Sequence, residues 1–227
     1  MKKLLIGATL CAGLMGIPEL TNDTDAYKNI PTPRTEEVIK TIKNDVLFTI
    51  DDWPSKYMLD IAKTLDASYH QWIFFIVGKG ITKKTKQDII TVIKMWHHIW
   101  NHSFSHPNFH TLSFQQAKDQ IIKSDALIAE LYKEAGIPQW KKYIRYPFGN
   151  NPPIAYRNEF NIFLDSLWYE KPMYRHMDVM LNECKKPPTD KRIAKMKQGD
   201  TILVHERPWT VETIERVCEK LDHKKEL

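Results

Sequence analysis

Two histidines stand four residues apart in NHSFSHP, at His102 and His106. On a helix that spacing would put both on one face. Pro107 disfavours the helical conformation at His106, so a turn is expected. Either way two imidazoles can reach one cation. With a carboxylate they leave coordination positions open for water, as catalytic zinc requires. Bound zinc lowers the pKa of water to about 7 and makes a nucleophile at neutral pH. Alone, an H-x-x-x-H spacing is as compatible with a structural pair. The carboxylates come from Asp51 and Asp52, which in extended chain point opposite ways. One could bind metal while the other takes a proton from water. Their bland alternative is a capped strand-to-helix turn. His205 ends a very apolar run, where a hydrogen-bonded core histidine is the competing reading. Arg145 would be costly at a buried strand end without an anionic partner, and Asp51 is the partner expected.

The elements that must position these residues are short β-rich runs alternating with helical patterns. Strands are expected at VLFTI (46–50), WIFFIV (72–77), HIWN (98–101), YIR (143–145), IFLD (162–165) and TILVH (201–205). The clearest helix spans about Ser113 to Glu134, with a Ser113–Gln116 capping box and Gly136 as its stop. Weaker helices follow Ser55, Thr85 and Thr210. Alternating strands and helices imply an α/β fold with a mainly parallel sheet. No Gly-rich phosphate loop follows the first strand, which favours a barrel of βα units over an open nucleotide-binding sheet. Asp51, Asp52, His102, Arg145, Asp165 and His205 all fall at the C-terminal ends of expected strands, where the active sites of βα barrels form.

Composition bounds the rest. A chain of 227 residues, 42% hydrophobic, has room for one globular domain. The net charge of +5 is dispersed, with no arginine-rich block and no nucleic-acid motif. It suits a solvated surface or steering toward an anionic cell wall. Residues 1–26, with Lys2, Lys3 and the run LLIGATLCAGLMGI, read as an export signal or an N-terminal membrane anchor. Residues 27–44 read as a linker and 45–224 as the functional domain. Cys11 lies in the signal, which leaves Cys184 and Cys218 as a candidate pair in an oxidising compartment.

The motifs, in order, resemble those of the polysaccharide deacetylases, the NodB-homology domain of carbohydrate esterase family 4. FTIDDWP resembles TFDDGP, NHSFSHP resembles NH[ST]xSHP, IRYPFG resembles RxP[YF]G, FLDSLW resembles the fourth Asp/Trp motif and ILVHE resembles LLHD. The resemblance covers about Val46 to Leu221. It implies a distorted (β/α) barrel with fewer than eight regular strands, acting as a monomer on a polysaccharide with a divalent metal, foremost Zn2+. It implies Asp51 as general base, Asp52, His102 and His106 as metal ligands, and Arg145 as the group orienting Asp51. The Phe148 N–H would stabilise the oxyanion, and Leu203 would line the acetyl pocket. His205 would act as the acid, oriented by Asp165. Trp168 or Tyr169 would form the substrate wall. The implied reaction is removal of N-acetyl groups from a GlcNAc polymer of peptidoglycan or chitin type. Removal of O-acetyl groups from xylan, an inactive glycan-binding module and a non-haem iron oxygenase are the alternatives.

Departures stand out. Trp53, and Trp96 and Trp100 in WHHIWNH, replace glycines of the motifs (GHEIGNH in the family). The chain has seven Trp and only eight Gly, about half the usual glycine share of roughly 7%. The three readings are a sugar-stacking Trp53, ordinary core tryptophans, and UGA codons that mean glycine in the host.

Overall fold

The computed structural model describes residues 47–52, 54–67, 72–139, 141–170, 172, 177–178, 187–196 and 200–223. The expected signal, linker, Trp53 and Cys184 lie outside them. Among the described residues no helix is long and apolar enough to cross a membrane.

The chain folds into an α/β layer around five parallel strands. β1 (Leu47–Asp52) is followed by α1 (Met58–Ala67), β2 (Ile73–Ile76) by α2 (Lys83–Lys94), and β3 (His98–Asn101) by α3 (Phe114–Ala135). After a long irregular stretch come α4 (Arg157–Ser166), β4 (Met177–Asp178), α5 (Asp190–Ile193), β5 (Thr201–His205) and α6 (Thr210–His223). The strand order is β3-β2-β1-β5-β4, and the sheet is not closed. Each βα step returns the chain parallel, as short strands joined by amphipathic helices must.

Alternation along the strands separates two faces. Phe48, Ile50, Phe74, Ile76, Ile99, Ile202 and Val204 face the helices and form the main core. Burying each such side chain contributes roughly 1.5–3 kcal/mol. Ile73, Phe75 and Trp100 belong to a separate cluster on the other face, under Leu47 and Tyr143. Helix starts follow capping chemistry: Thr82 and Thr85 form a capping box for α2, and Ser113 and Gln116 one for α3.

Two expected strands are corrected. The YIR segment (143–145) contributes only an isolated parallel bridge, Ile144 opposite Asn101. IFLD (162–165) is not a strand but the last turns of α4. Phe160 and Leu164, four apart, are buried while Ile162 is 68% exposed, which is the period of a helix and not of a strand. Asp165 therefore sits on an exposed helical turn, and no strand end carries it.

Candidate metal centre and active site

β1 and β5 pair with Asp51 opposite His205, so the first carboxylate and the last histidine share one sheet edge. His102 follows β3 two strands away, and its N–H donates to the Ile76 carbonyl at 3.0 Å, continuing the ladder. Asp51 and Asp52 should diverge in a regular strand. Asp52 instead has φ 93, a conformation rare outside glycine. That turn brings both carboxylates to one imidazole: His102 Nε2 lies 3.8 Å from Asp51 Oδ2 and 3.8 Å from Asp52 Oδ1. His106 Nε2 lies 3.4 Å from Asp52 Oδ1. One ligand atom each from Asp52, His102 and His106 lies within 4.8 Å of the others.

The donors suit a divalent cation. The Arg145 carbonyl can only accept, so the 2.8 Å contact from His102 Nδ1 fixes that nitrogen as the N–H and leaves Nε2 for a ligand. Burial pushes His102 below its ordinary pKa, keeping the imidazole neutral as metal binding needs. Burial alone would raise Asp52. The hydrogen bond to His106 and the charges of His205, His102 and His106 outweigh it and hold the carboxyl at about 2.

Asp51 is fixed from behind. Arg145 Nη1 donates to Asp51 Oδ1 at 2.6 Å and to Thr49 Oγ1 at 2.6 Å, while the guanidinium lies 4.3 Å from the Phe75 ring centroid. The ion pair is buried on both sides, and the remaining oxygen, Oδ2, faces His102. Phe148 has φ 59 and is 65% exposed, with its ring edge-on to His106 at 4.7 Å. Leu203 is buried on β5 opposite Thr49.

Two expected site residues lie elsewhere. Asp165 is exposed on α4, and among the described residues no ion pair joins it to His205. Tyr169 is 5% exposed, its hydroxyl donating to Asp125 Oδ1 at 2.9 Å and accepting from Asn101 Nδ2 at 2.7 Å, so it forms no substrate wall. Trp168 is 85% exposed at the end of α4 with φ 62. Sequence reasoning missed one carboxylate. Glu206 is buried and its Oε2 accepts from both the N–H (2.8 Å) and the hydroxyl of Ser55, tying the loop after β5 to the loop after β1. Burial raises the Glu206 carboxyl to about 7, against the Ser55 hydrogen bonds.

Trp96 has φ 65; Trp100 lies in β3, buried, its ring tilted 33° against that of Tyr143 at 4.2 Å.

Comparison with known proteins agrees with this geometry. A family model described as polysaccharide deacetylase matches residues 38–159. A peptidoglycan-N-acetylglucosamine deacetylase of Bacillus cereus is 29% identical over 108 residues, 47% of this chain but 37% of that protein. A family 4 carbohydrate esterase from Streptomyces lividans, solved with acetate, superposes with TM-score 0.65 at 22% identity, covering 80% of this chain and 89% of that one. A family 4 pseudoenzyme from Bacillus anthracis gives TM-score 0.66 at 22% identity, covering 80% and 62%. The chain spans about a third of the length of the curated relative and about two thirds of the pseudoenzyme. The family match covers more than half of the chain, and its fold is that of the deacetylases: this chain belongs to the polysaccharide deacetylase family.

Proposed function

We propose that the chain is an exported, metal-dependent hydrolase that removes N-acetyl groups from a GlcNAc-containing polysaccharide of peptidoglycan or chitin type. The observation that carries the reading is the Asp52–His102–His106 cluster beside a carboxylate, Asp51, pinned by Arg145. When bound, a divalent cation, foremost Zn2+, supplies Lewis acidity to the acetyl carbonyl and acidifies water. Asp51 Oδ2 takes the proton of the attacking water, with Arg145 fixing its orientation so that no time is lost to reorientation. The exposed Phe148 N–H donates to the oxyanion as the carbonyl carbon becomes tetrahedral. His205, across the strand pair from Asp51, returns a proton to the departing amine. Leu203, on β5 opposite Thr49, is the residue that would meet the acetyl methyl.

Arg207 favours an anionic glycan, and so the peptidoglycan type. Its guanidinium is partly exposed and lies 3.7 Å from Asp52 Oδ2. Once Asp52 gives its charge to a cation, Arg207 leaves the rim positive. The pseudoenzyme among the structural neighbours supplies the second reading, a glycan-binding module without turnover. The test is acetate release from peptidoglycan, chitin oligomers and O-acetyl xylan, with and without chelator. Chelator-sensitive acetate from the first two is expected. Tight glycan binding with no acetate from any substrate would leave the inactive module instead.

A further inference from the structure

The loop that carries both candidate histidines is unusual. Ser103 has φ 70 and His106 has φ 60, neither of them glycine. Such conformations persist only where surrounding contacts over-determine them. Part of the hold is local: the His106 N–H donates to Ser103 Oγ at 3.0 Å. Gln120 Oε1, on α3, accepts from the N–H groups of Phe104 (3.1 Å) and Ser105 (2.8 Å). The remaining hold begins at Asn101, whose Oδ1 accepts the Ser103 N–H at 2.8 Å.

An amide side chain can present either its oxygen or its nitrogen, so something must decide which way Asn101 faces. Its Nδ2 donates to the Tyr169 hydroxyl at 2.7 Å. That hydroxyl can accept because its own proton goes to Asp125 Oδ1 at 2.9 Å. Ionised Asp125 can only accept, and its second oxygen takes Lys142 Nζ at 3.0 Å. Asn101 Nδ2 also donates to the Ile121 carbonyl at 3.3 Å, so two acceptors hold the amide in this orientation: Asp125 orients Tyr169, Tyr169 takes the shorter of the two Nδ2 bonds, and Asn101 so seated holds Ser103 between the two histidines. Asn101 is 1% and Tyr169 5% exposed, so water cannot substitute for either partner.

We infer that Tyr169 and Asp125 are positioning residues for the metal ligands His102 and His106, acting through Asn101. The inference rests on the metal reading of the site. Burial, together with the Asp125 charge, raises the Tyr169 hydroxyl well above its ordinary value, so it stays a donor.

Partners that orient metal ligands typically change metal affinity 10–100-fold when removed. The experiment measures the dissociation constant for Zn2+ by competition with a chromogenic chelator, and the visible spectrum of the Co2+ form. It compares wild type, Tyr169→Phe and Asp125→Asn, with thermal unfolding of the metal-free proteins alongside. Tyr132→Phe is the control. Tyr132 is equally buried, on the same helix as Asp125, and its hydroxyl accepts from the Ile99 backbone N–H at 2.9 Å, outside this chain of bonds. Expected are a loss of Zn2+ affinity of about tenfold or more in Tyr169→Phe, an altered Co2+ spectrum, and the same direction in Asp125→Asn. Tyr132→Phe should lower the unfolding temperature and leave affinity unchanged. If Tyr169→Phe fails to fold, Asp125→Asn decides on the same scale. Unchanged affinity in a folded variant overturns the inference and leaves the metal reading standing. A wild type that binds neither ion overturns both.

Discussion

Among the described residues, positive φ angles outside glycine occur in two regions, and they mean different things. Around the candidate metal centre Asp52, Ser103, His106 and Phe148 adopt φ between 59 and 93. At the ends of α2 and α4, Trp96 and Trp168 adopt φ 65 and 62. The cost per residue is similar, of the order of 1–3 kcal/mol. In the first region the side chains converge: Asp52 and His106 meet across 3.4 Å, and Phe148 lies edge-on to His106. The strain there aims functional groups. In the second the conformation belongs to the helix stop, and neither indole meets the candidate metal ligands. Trp168 is 85% exposed. A strained residue is thus a functional signal only when its side chain is also engaged.

The largest expected effect breaks the comparison on the site side. Asp51→Asn keeps size and removes the proton acceptor. Acetate release should fall by about 10²–10⁴-fold, the usual worth of a positioned general base. Zn2+ affinity should hold, because Asp52 and the histidines remain. Near-wild-type acetate release from the variant would remove Asp51 from the mechanism.

A smaller effect tests what holds Asp52 in its turn. Glu206 fastens the Ser55 end of that loop, and its carboxyl sits at about 7 against an ordinary 4.5. The folded state therefore binds this proton more tightly than the unfolded chain does. The stability it brings is complete below pH 4.5 and is lost as pH rises through about 7, in total roughly 3 kcal/mol. Asp52, lowered to about 2, acts in the opposite sense and only below about pH 4, so the two windows do not overlap. His98, lowered by burial to about 4, and His97 and His102, also lowered by burial, gain stability as pH rises towards 6.5 and so oppose Glu206, whose share is read by difference. Between pH 5 and 8 the metal-free Glu206→Gln variant should gain stability relative to the wild type in denaturant unfolding; equal pH dependence in the two would remove Glu206 from the account.

How much of this was legible follows the same division. The convergence of the candidate site was readable because its parts sit in motifs at strand ends: His102 and His106 beyond HIWN, Asp51 and Asp52 beyond VLFTI. Helix α3 was readable from its caps, observed at Phe114–Ala135 against an expected 113–134. What failed were short apolar runs. IFLD is four residues, too few to separate a period of 2 from one of 3.6, and with it went the placement of Asp165. Tyr169 was misread because aromatic residues next to a motif look like substrate walls. Only the fold reveals that its hydroxyl is buried against Asp125. Glu206 carries no spacing signal at all; the loop-to-loop bond to Ser55 identifies it.

The smallest effect sharpens the comparison at the helix ends. Three helices stop by one device. In α3, the N–H of Gly136 donates to Lys133 O and that of Ile137 to Tyr132 O. In α2, Trp96 donates to Ile93 O and His97 to Val92 O; in α4, Trp168 donates to Asp165 O and Tyr169 to Leu164 O. This bond pair requires a left-handed residue at the position after the cap, where glycine is the common choice. Gly136 fills it at φ 70, without the penalty of about 1–2 kcal/mol that a side chain incurs. The exposed indole of Trp168 buries too little to offset that penalty. Trp168→Gly should therefore raise the unfolding temperature by about 2–4 °C, and Trp96→Gly by less, since Trp96 is partly buried. Acetate release should not change in Trp96→Gly, whereas a loss in Trp168→Gly would keep Trp168 as the substrate wall that the motif resemblance implies. A lowered unfolding temperature in Trp168→Gly would mean that the indole stabilises the end of α4. The same positions test the reading in which the gene's UGA codons specify glycine. That reading, drawn from Trp53, Trp96 and Trp100, expects UGA at all three; the left-handed backbone at 168 extends it to Trp168, and peptides from the host's own protein should be lighter by the difference between tryptophan and glycine. Trp72 is the internal control: fully buried and stacked on Phe48 at 3.8 Å, with no left-handed backbone, it should be UGG. Trp100, extended and packed in β3, carries no backbone argument for glycine. UGG at both 96 and 168 would make these helix ends genuine tryptophan stops, strained for no gain that their side chains reveal.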